Sequence, residues 1–237
     1  MPTVPTMFTA AVAADPARPL LTWYDDATGE RTELSGATLA NWVAKTANLL
    51  ADGCGLGEGS IAAVRTPAHW QTAAIMLGAW TAGLALTHST TAKADVAFVS
   101  PGVGAQAPDT FAVGLHPFAL PVRDLGPGVQ DWVTSARVHG DHYRGPLPPG
   151  DAPALVDLPG PAPAITHADL IAQATSRATE LGLPAGARVL LDLDAHKRPV
   201  DWLLAPLAAG CTLVVCANAD AAKLDDRAAV ERAVRIP

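Results

Sequence analysis

Residues 61 to 86 read Ile61-Ala-Ala-Val-Arg-Thr-Pro67-Ala-His-Trp70-Gln-Thr-Ala-Ala-Ile-Met-Leu77-Gly-Ala-Trp80-Thr-Ala-Gly83-Leu-Ala-Leu86. Ile61 to Val64 is an apolar run of strand length, and Pro67 stands near the start of a segment that carries Trp70, Ala74, Leu77 and Trp80 at helical spacing. Gly83 closes that segment, and Leu84-Ala-Leu86 is a second short strand. The order is β-α-β. A crossover of this size between two apolar strands predicts a parallel sheet with helices packed on its faces.

The same alternation extends to both sides. Upstream, Leu20 to Tyr24 and Glu30 to Leu34 flank the polar turn Asp25-Asp-Ala-Thr-Gly29, which predicts an antiparallel hairpin near the start. Ser35 is the expected N-cap of a helix on which Leu39, Trp42, Val43, Ala47 and Leu50 recur until Gly53 and Gly55 stop it. Downstream, Asp95 to Ser100 and Phe111 to Leu115 are expected strands, and Gly126-Pro-Gly128 and Gly145-Pro-Leu-Pro-Pro-Gly150 are turn-rich breaks. Beyond them come strands at Ala154 to Val156, Val189 to Leu191 and Thr212 to Val215. These alternate with helices from about His167 to Leu181 and from about Pro199 to Ala208, and a last amphipathic helix is expected from about Asp220 to Val234. The fold class expected is α/β, with mainly parallel sheet flanked by helices and an N-terminal hairpin. Residues 1–237 read as one α/β unit, and the break at 145–150 is the candidate boundary between subdomains 1–150 and 151–237.

Composition narrows the function. The chain has 237 residues, 49% of them hydrophobic, and a formal net charge of -7, so it is neither disordered nor suited to binding phosphate backbones. Its longest basic run is Lys197-Arg198, which gives no purchase on nucleic acid or on an acidic membrane. The most apolar stretch, Ala73 to Leu86, falls short of the roughly 20 residues that cross a bilayer. Cys54, Cys211 and Cys216 are an odd number without C-x-x-C spacing, so neither a disulfide framework nor a zinc knuckle is expected. The start, Met-Pro-Thr-Val-Pro-Thr-Met, has no basic leader and no apolar stretch of signal length, which leaves the cytoplasm as the expected compartment.

Few motifs carry chemistry. Gly102-Val-Gly104-Ala-Gln-Ala107 fits the dinucleotide pattern and follows a strand, but Pro108 and another strand replace the helix whose amides would face a pyrophosphate. Gly55-Leu-Gly57-Glu-Gly59 precedes a strand and reads as a helix-to-strand turn. His139-Gly-Asp141-His142 is the densest group of metal-ligand side chains, yet no nearby segment adds a ligand at a familiar spacing, so no metal is expected. His69, His88 and His116 read as surface or hydrogen-bonded histidines.

In order and spacing, these segments resemble the N-terminal part of the acyl- and aryl-adenylating (AMP-binding) superfamily, which includes acyl-CoA synthetases. Arg31-Thr-Glu-Leu34 and the helix after it, Gly55-Leu-Gly-Glu-Gly-Ser60 before Ile61, and Leu77-Gly-Ala-Trp-Thr-Ala-Gly83 are each similar to successive stretches of that superfamily. So are Thr166-His167 opening a helix, Leu183-Pro-Ala-Gly-Ala-Arg-Val189, His196, and Leu204-Ala-Pro-Leu-Ala-Ala-Gly-Cys-Thr212. In its shortness the chain is also similar to a compact actinobacterial offshoot of the superfamily.

The resemblance implies an ATP site, and the sequence departs from it there. Superfamily members hold phosphates on a Ser/Thr/Gly-rich loop ending in Pro-Lys-Gly, just before the Thr-His. Here that interval reads Asp157-Leu-Pro-Gly-Pro-Ala-Pro-Ala-Ile165, with no Ser, Thr or Lys and with three prolines that remove amide donors. The sequence given also ends before the positions of the adenine and ribose motifs and of the C-terminal catalytic Lys. The resemblance leaves Thr166, His167 and His196 as candidate binding residues, against a helix cap for the first two and a solvated loop for His196. No catalytic residue and no cofactor is implied by the residues present.

The expected function is therefore a degenerate, non-catalytic adenylate-forming-like binding or interaction module, with a second copy, another protein or a small acyl or nucleotide ligand as its partner. A ligand of that kind is expected in a crevice at the C-terminal ends of the strands. The alternative is an acyl- or aryl-activating ligase whose atypical ATP site is completed by a partner chain, and ATP or AMP enters only there.

Overall fold

The chain opens with a helix, α1 (Val4–Ala14), that carries no clear sequence signal. Pro5 lies in its first turn, where an amide has no intrahelical acceptor, so the proline costs nothing. The expected hairpin follows as β1 (Pro19–Asp25) and β2 (Glu30–Ser35), antiparallel with Trp23 opposite Thr32. Its turn closes at Gly29, whose φ of 76° is open to glycine without strain. α2 (Gly36–Asn48) begins where Ser35 Oγ accepts the Thr38 amide at 3.1 Å, and it widens into a π-helical turn over Leu49–Gly53.

The crossover read from residues 61 to 86 is present as β3 (Ile61–Arg65), α3 (Trp70–Thr81) and β4 (Ala85–Thr87). β3 and β4 are parallel, with Ile61 beside Ala85. His69 caps α3 by accepting the Gln71 amide on Nδ1 at 3.2 Å. Every residue of α3 is buried, Gln71, Thr72 and Thr81 included, and a helix buried on all sides is stable only inside a protein. Gly78 lets it approach α2 closely, because a Cβ there would lie 2.6 Å from Thr46 Cβ and 3.0 Å from the Val43 carbonyl.

After these come β5 (Val96–Val99), β6 (Asp109–Ala112), β7 (Val129–Asp131), α4 (Trp132–Arg137), β8 (Pro153–Leu155) and β9 (Ile165–Thr166). The chain continues through α5 (His167–Glu180), β10 (Arg188–Asp192), a π-helical turn over Val200–Leu204 running into α6 (Ala205–Ala208), β11 (Thr212–Ala217), α7 (Leu224–Val230) and β12 (Val234–Arg235). Two expectations are corrected. The strand expected at 111–115 starts earlier and ends at Ala112, before Gly114 and the positive-φ Leu115. The final helix is shorter than expected, because Arg232 turns the chain at a φ of 50° and Val234–Arg235 joins a sheet.

This computed structural model describes residues 2–90, 92–105, 107–156 and 164–237. They divide into two units, one formed by the residues up to Pro5 with Ala40–Leu170, the other by Thr6–Leu39 with Ile171–Pro237. The Gly145–Gly150 break lies inside the first. The first unit holds a seven-stranded sheet in the order β7-β6-β5-β3-β4-β8-β9, parallel except for β9. Trp42, Trp70 and Trp132 cluster beside it, and Trp80 Nε1 donates to the Ala154 carbonyl at 2.8 Å, tying α3 to β8. The second unit holds a five-stranded sheet, β12-β10-β11-β1-β2, parallel except for β2. A fold of mainly parallel sheet flanked by helices, with the hairpin, is what the alternation of the sequence dictates. No helix among the described residues is long and apolar enough to cross a membrane.

Candidate functional site

The resemblance focuses on the start of α5. Thr166 ends β9, and its Oγ1 accepts the Asp169 amide at 3.1 Å while donating to Asp169 Oδ2 at 2.8 Å, a reciprocal cap. The amide of His167 donates to the Ala152 carbonyl at 3.0 Å, and that of Ala168 to the Gly150 carbonyl at 2.8 Å. The first three amides of the helix are therefore consumed within the protein. Those are the donors that a helix N-terminus ordinarily presents to an anion.

The His167 side chain is fully buried. Its Nδ1 accepts the Val4 amide at 3.4 Å, which assigns the ring proton to Nε2, and Nε2 has no partner among the described residues. Burial pulls the His167 pKa down from 6.5 to about 4, so the ring is neutral at pH 7. The interval 157–163, where the resemblance would put a phosphate loop, lies outside the described residues.

His196 sits in the second unit, after β10, whereas Thr166 and His167 belong to the first. Against the expectation of a solvated loop, its ring is buried, although Asp194 and Lys197 beside it are exposed. Nε2 lies 3.1 Å from the Pro237 carbonyl oxygen, and the backbone amide donates to the Asp192 carbonyl at 2.9 Å. Nδ1 has no partner among the described residues.

The other sequence motifs resolve into local structure. Gly102 adopts a positive φ of 80° in a turn, and the next element is β6, not a helix; Gln106 of that motif lies outside the described residues. The segment His139 to His142 is strapped to α2: Lys45 Nζ donates to the His139 carbonyl at 2.7 Å and pairs with Asp141 at 2.8 Å. Asn48 Nδ2 bridges the carbonyls of Gly140 and His142. Among the described residues no three His, Cys, Asp or Glu side chains are grouped to hold a metal ion.

Sequence reasoning missed two features. In the second unit, Glu231 accepts from Tyr24, Arg31 and Arg188, the last at 2.6 Å, and these three partners hold its carboxyl below the usual range despite burial. In the first unit, a cavity of about 560 Å³ opens at the N-terminal ends of β3 and β4, between the π-helical turn after α2, the turns at Gly57–Glu58 and Ala82–Gly83, and the 140–148 segment. The residues that form it are scattered through a hundred positions, and only the glycine-rich turns gave a local sign of it.

This architecture is that of the N-terminal half of the adenylate-forming enzymes. An acyl-CoA synthetase of Brucella canis superposes with a TM-score of 0.74 at 18% identity, over 98% of this chain and 46% of its own. The N-terminal domain of FACL13 from Mycobacterium tuberculosis gives 0.68 at 16% identity, over 98% and 62%. The acetoacetyl-CoA synthetase of Streptomyces lividans gives 0.70 at 16% identity, over 91% and 38%. The chain thus spans about half the length of the solved Brucella synthetase. In sequence it is 41% identical over 253 residues to a TIGR03089 family protein of Mycobacterium tuberculosis (strain ATCC 25618 / H37Rv), across 99% of both chains. The chain belongs to the TIGR03089 family. No protein-family model matches the sequence.

Proposed function

We propose that the chain is a non-catalytic module of the adenylate-forming fold, which binds a protein partner, a second copy of itself or a small acyl or nucleotide ligand in the cytoplasm and does not activate a carboxylate with ATP. The observation that carries this reading is the start of α5. Adenylation requires donors arranged around phosphate oxygens where charge develops. Here the first three amides of that helix are bonded to Ala152, Gly150 and Thr166, and the preceding interval offers no hydroxyl or ammonium. Thr166 then serves as a cap and His167 as an anchor for the chain at Val4.

A second reading is favoured by one atom. The buried Nε2–H of His167 has no partner among the described residues, so one donor remains there for an oxygen of a nucleotide or acyl group in a site completed by a partner chain. The two readings separate in two assays. Acyl-dependent exchange of pyrophosphate into ATP is expected to be absent, and any nucleotide that does bind should raise the unfolding midpoint, by about 2.7 kcal/mol at 100 times its Kd, without exchange. Measurable exchange by the chain alone would overturn the first reading.

A further inference from the structure

The cavity at the N-terminal ends of β3 and β4 belongs to no part of the reading above, and its charged side chains are solvent-exposed and unpaired among the described residues. Asp52, on the π-helical turn, Glu58, in the turn before β3, and Arg144 all line it. Among the described residues none of the three side chains makes a hydrogen bond or ion pair, whereas Lys45, just outside the cavity, pairs with Asp141. The wall that bears Arg144 is fixed. Asn48 holds the carbonyls of Gly140 and His142 at 3.0 and 3.1 Å. Tyr143, the next residue, has its phenol pKa raised by burial and by the charge of Asp52, so Asp52 acts on this same wall.

The rest of the lining combines the polar side chains of Asn48, His142 and Tyr143 with apolar and glycine positions, of which Leu56 and Leu147 are the largest aliphatic side chains. About 560 Å³ lies within the range of small-molecule sites. Two carboxylates favour an ammonium group, and one guanidinium favours an anion, in the same cavity.

We propose that this cavity binds a small zwitterion, its ammonium group toward Asp52 and Glu58, its anionic group toward Arg144 and its apolar body over Leu56 and Leu147. The reading is independent of the one drawn from α5, because it uses the opposite ends of the strands from a crevice at their C-terminal edge, and a failure with Mg-ATP leaves it untouched.

The test uses the full chain and three probes of equal length, 6-aminohexanoic acid, hexylamine and hexanoic acid, titrated calorimetrically at pH 7 and low salt. The zwitterion is expected to bind at least tenfold tighter than either single-charged probe. Arg144→Gln is expected to bring its affinity to that of hexylamine while leaving hexylamine itself unchanged, and Asp52→Asn to weaken both amines. Asp141→Asn, which alters a charge outside the lining, is expected to leave all three affinities as they were. Absence of zwitterion binding, equal binding of the three probes, or an Arg144→Gln variant that binds like the parent would each overturn the proposal. The unliganded unfolding midpoints of these variants at exposed positions are expected to match the parent's.

Discussion

Lowering the pH should destabilise the protein through His167 before most carboxylates titrate. In the folded chain the ring is fully buried and its pKa is about 4, whereas an unfolded histidine titrates near 6.5. Between these values the unfolded chain binds a proton that the folded one refuses. Stability is therefore complete above 6.5 and is lost as the pH falls towards 4. Integrated over that interval the loss is about 2 kcal/mol by pH 5 and about 3 kcal/mol by pH 4. His167→Gln offers a non-titrating acceptor for the Val4 amide. Urea unfolding of both proteins at pH 7.5, 6, 5 and 4 isolates the histidine, because shifts at Asp26, Asp201 and Glu231 are common to the two and cancel. The parent should lose about 3 kcal/mol relative to the variant across the series. Parallel curves would show that His167 is solvated or paired in solution, and the account of the start of α5 would fall with it.

Three further outcomes follow from packing and charge. Gly78→Ala should cost about 1–3 kcal/mol in urea unfolding, since the added methyl would meet Thr46 and the Val43 carbonyl. Glu231→Gln should cost about 1–3 kcal/mol at pH 7, because Arg188 loses its closest carboxylate; with the folded-state pKa of Glu231 depressed, the difference between the proteins should shrink as the pH falls through the acid range. All three thiols have raised pKa values, chiefly through burial, that of Cys54 to about 11, so Ellman's reagent at pH 8 should react at least tenfold more slowly with the native chain than with the chain in urea.

The parts of the fold that announced themselves were those in which local pattern and tertiary fate agree. The strand, helix and strand of residues 61–86 are punctuated by Pro67 and Gly83 and buried throughout, so periodicity, turn chemistry and packing all point one way. Ser35 acted as the cap it resembled. α1 was silent because two prolines and three threonines precede an ordinary alanine-rich run. The sequence reading extended the last helix to Val234, but Val234 instead pairs beside Val189, a contact no local window contains. The site was legible only as a departure from a pattern. Asp157 to Ile165 shows in the sequence that hydroxyls and a lysine are missing. The engagement of the His167 and Ala168 amides by Ala152 and Gly150 depends on how β8 and β9 pair, which spacing does not reveal. The same holds for His196, whose charged neighbours pointed to solvent although its ring is buried against the carbonyl of Pro237.

The pairing of β1 with β11 also sets an order of events during synthesis. Leu21 meets Leu213 in the finished sheet, so the hairpin leaves the ribosome with its β1 edge unpaired and must wait for most of the chain. At 5–20 residues per second that delay is on the order of 10 to 40 s. All seven strands of the first unit are made in the meantime, and they require nothing from β10 or β11 for their own pairing. The nascent chain thus carries a waiting hairpin, with Leu21 and Trp23 bare, in front of a sheet that is free to close. That interval is when a chaperone, or a second nascent copy, would find it most exposed.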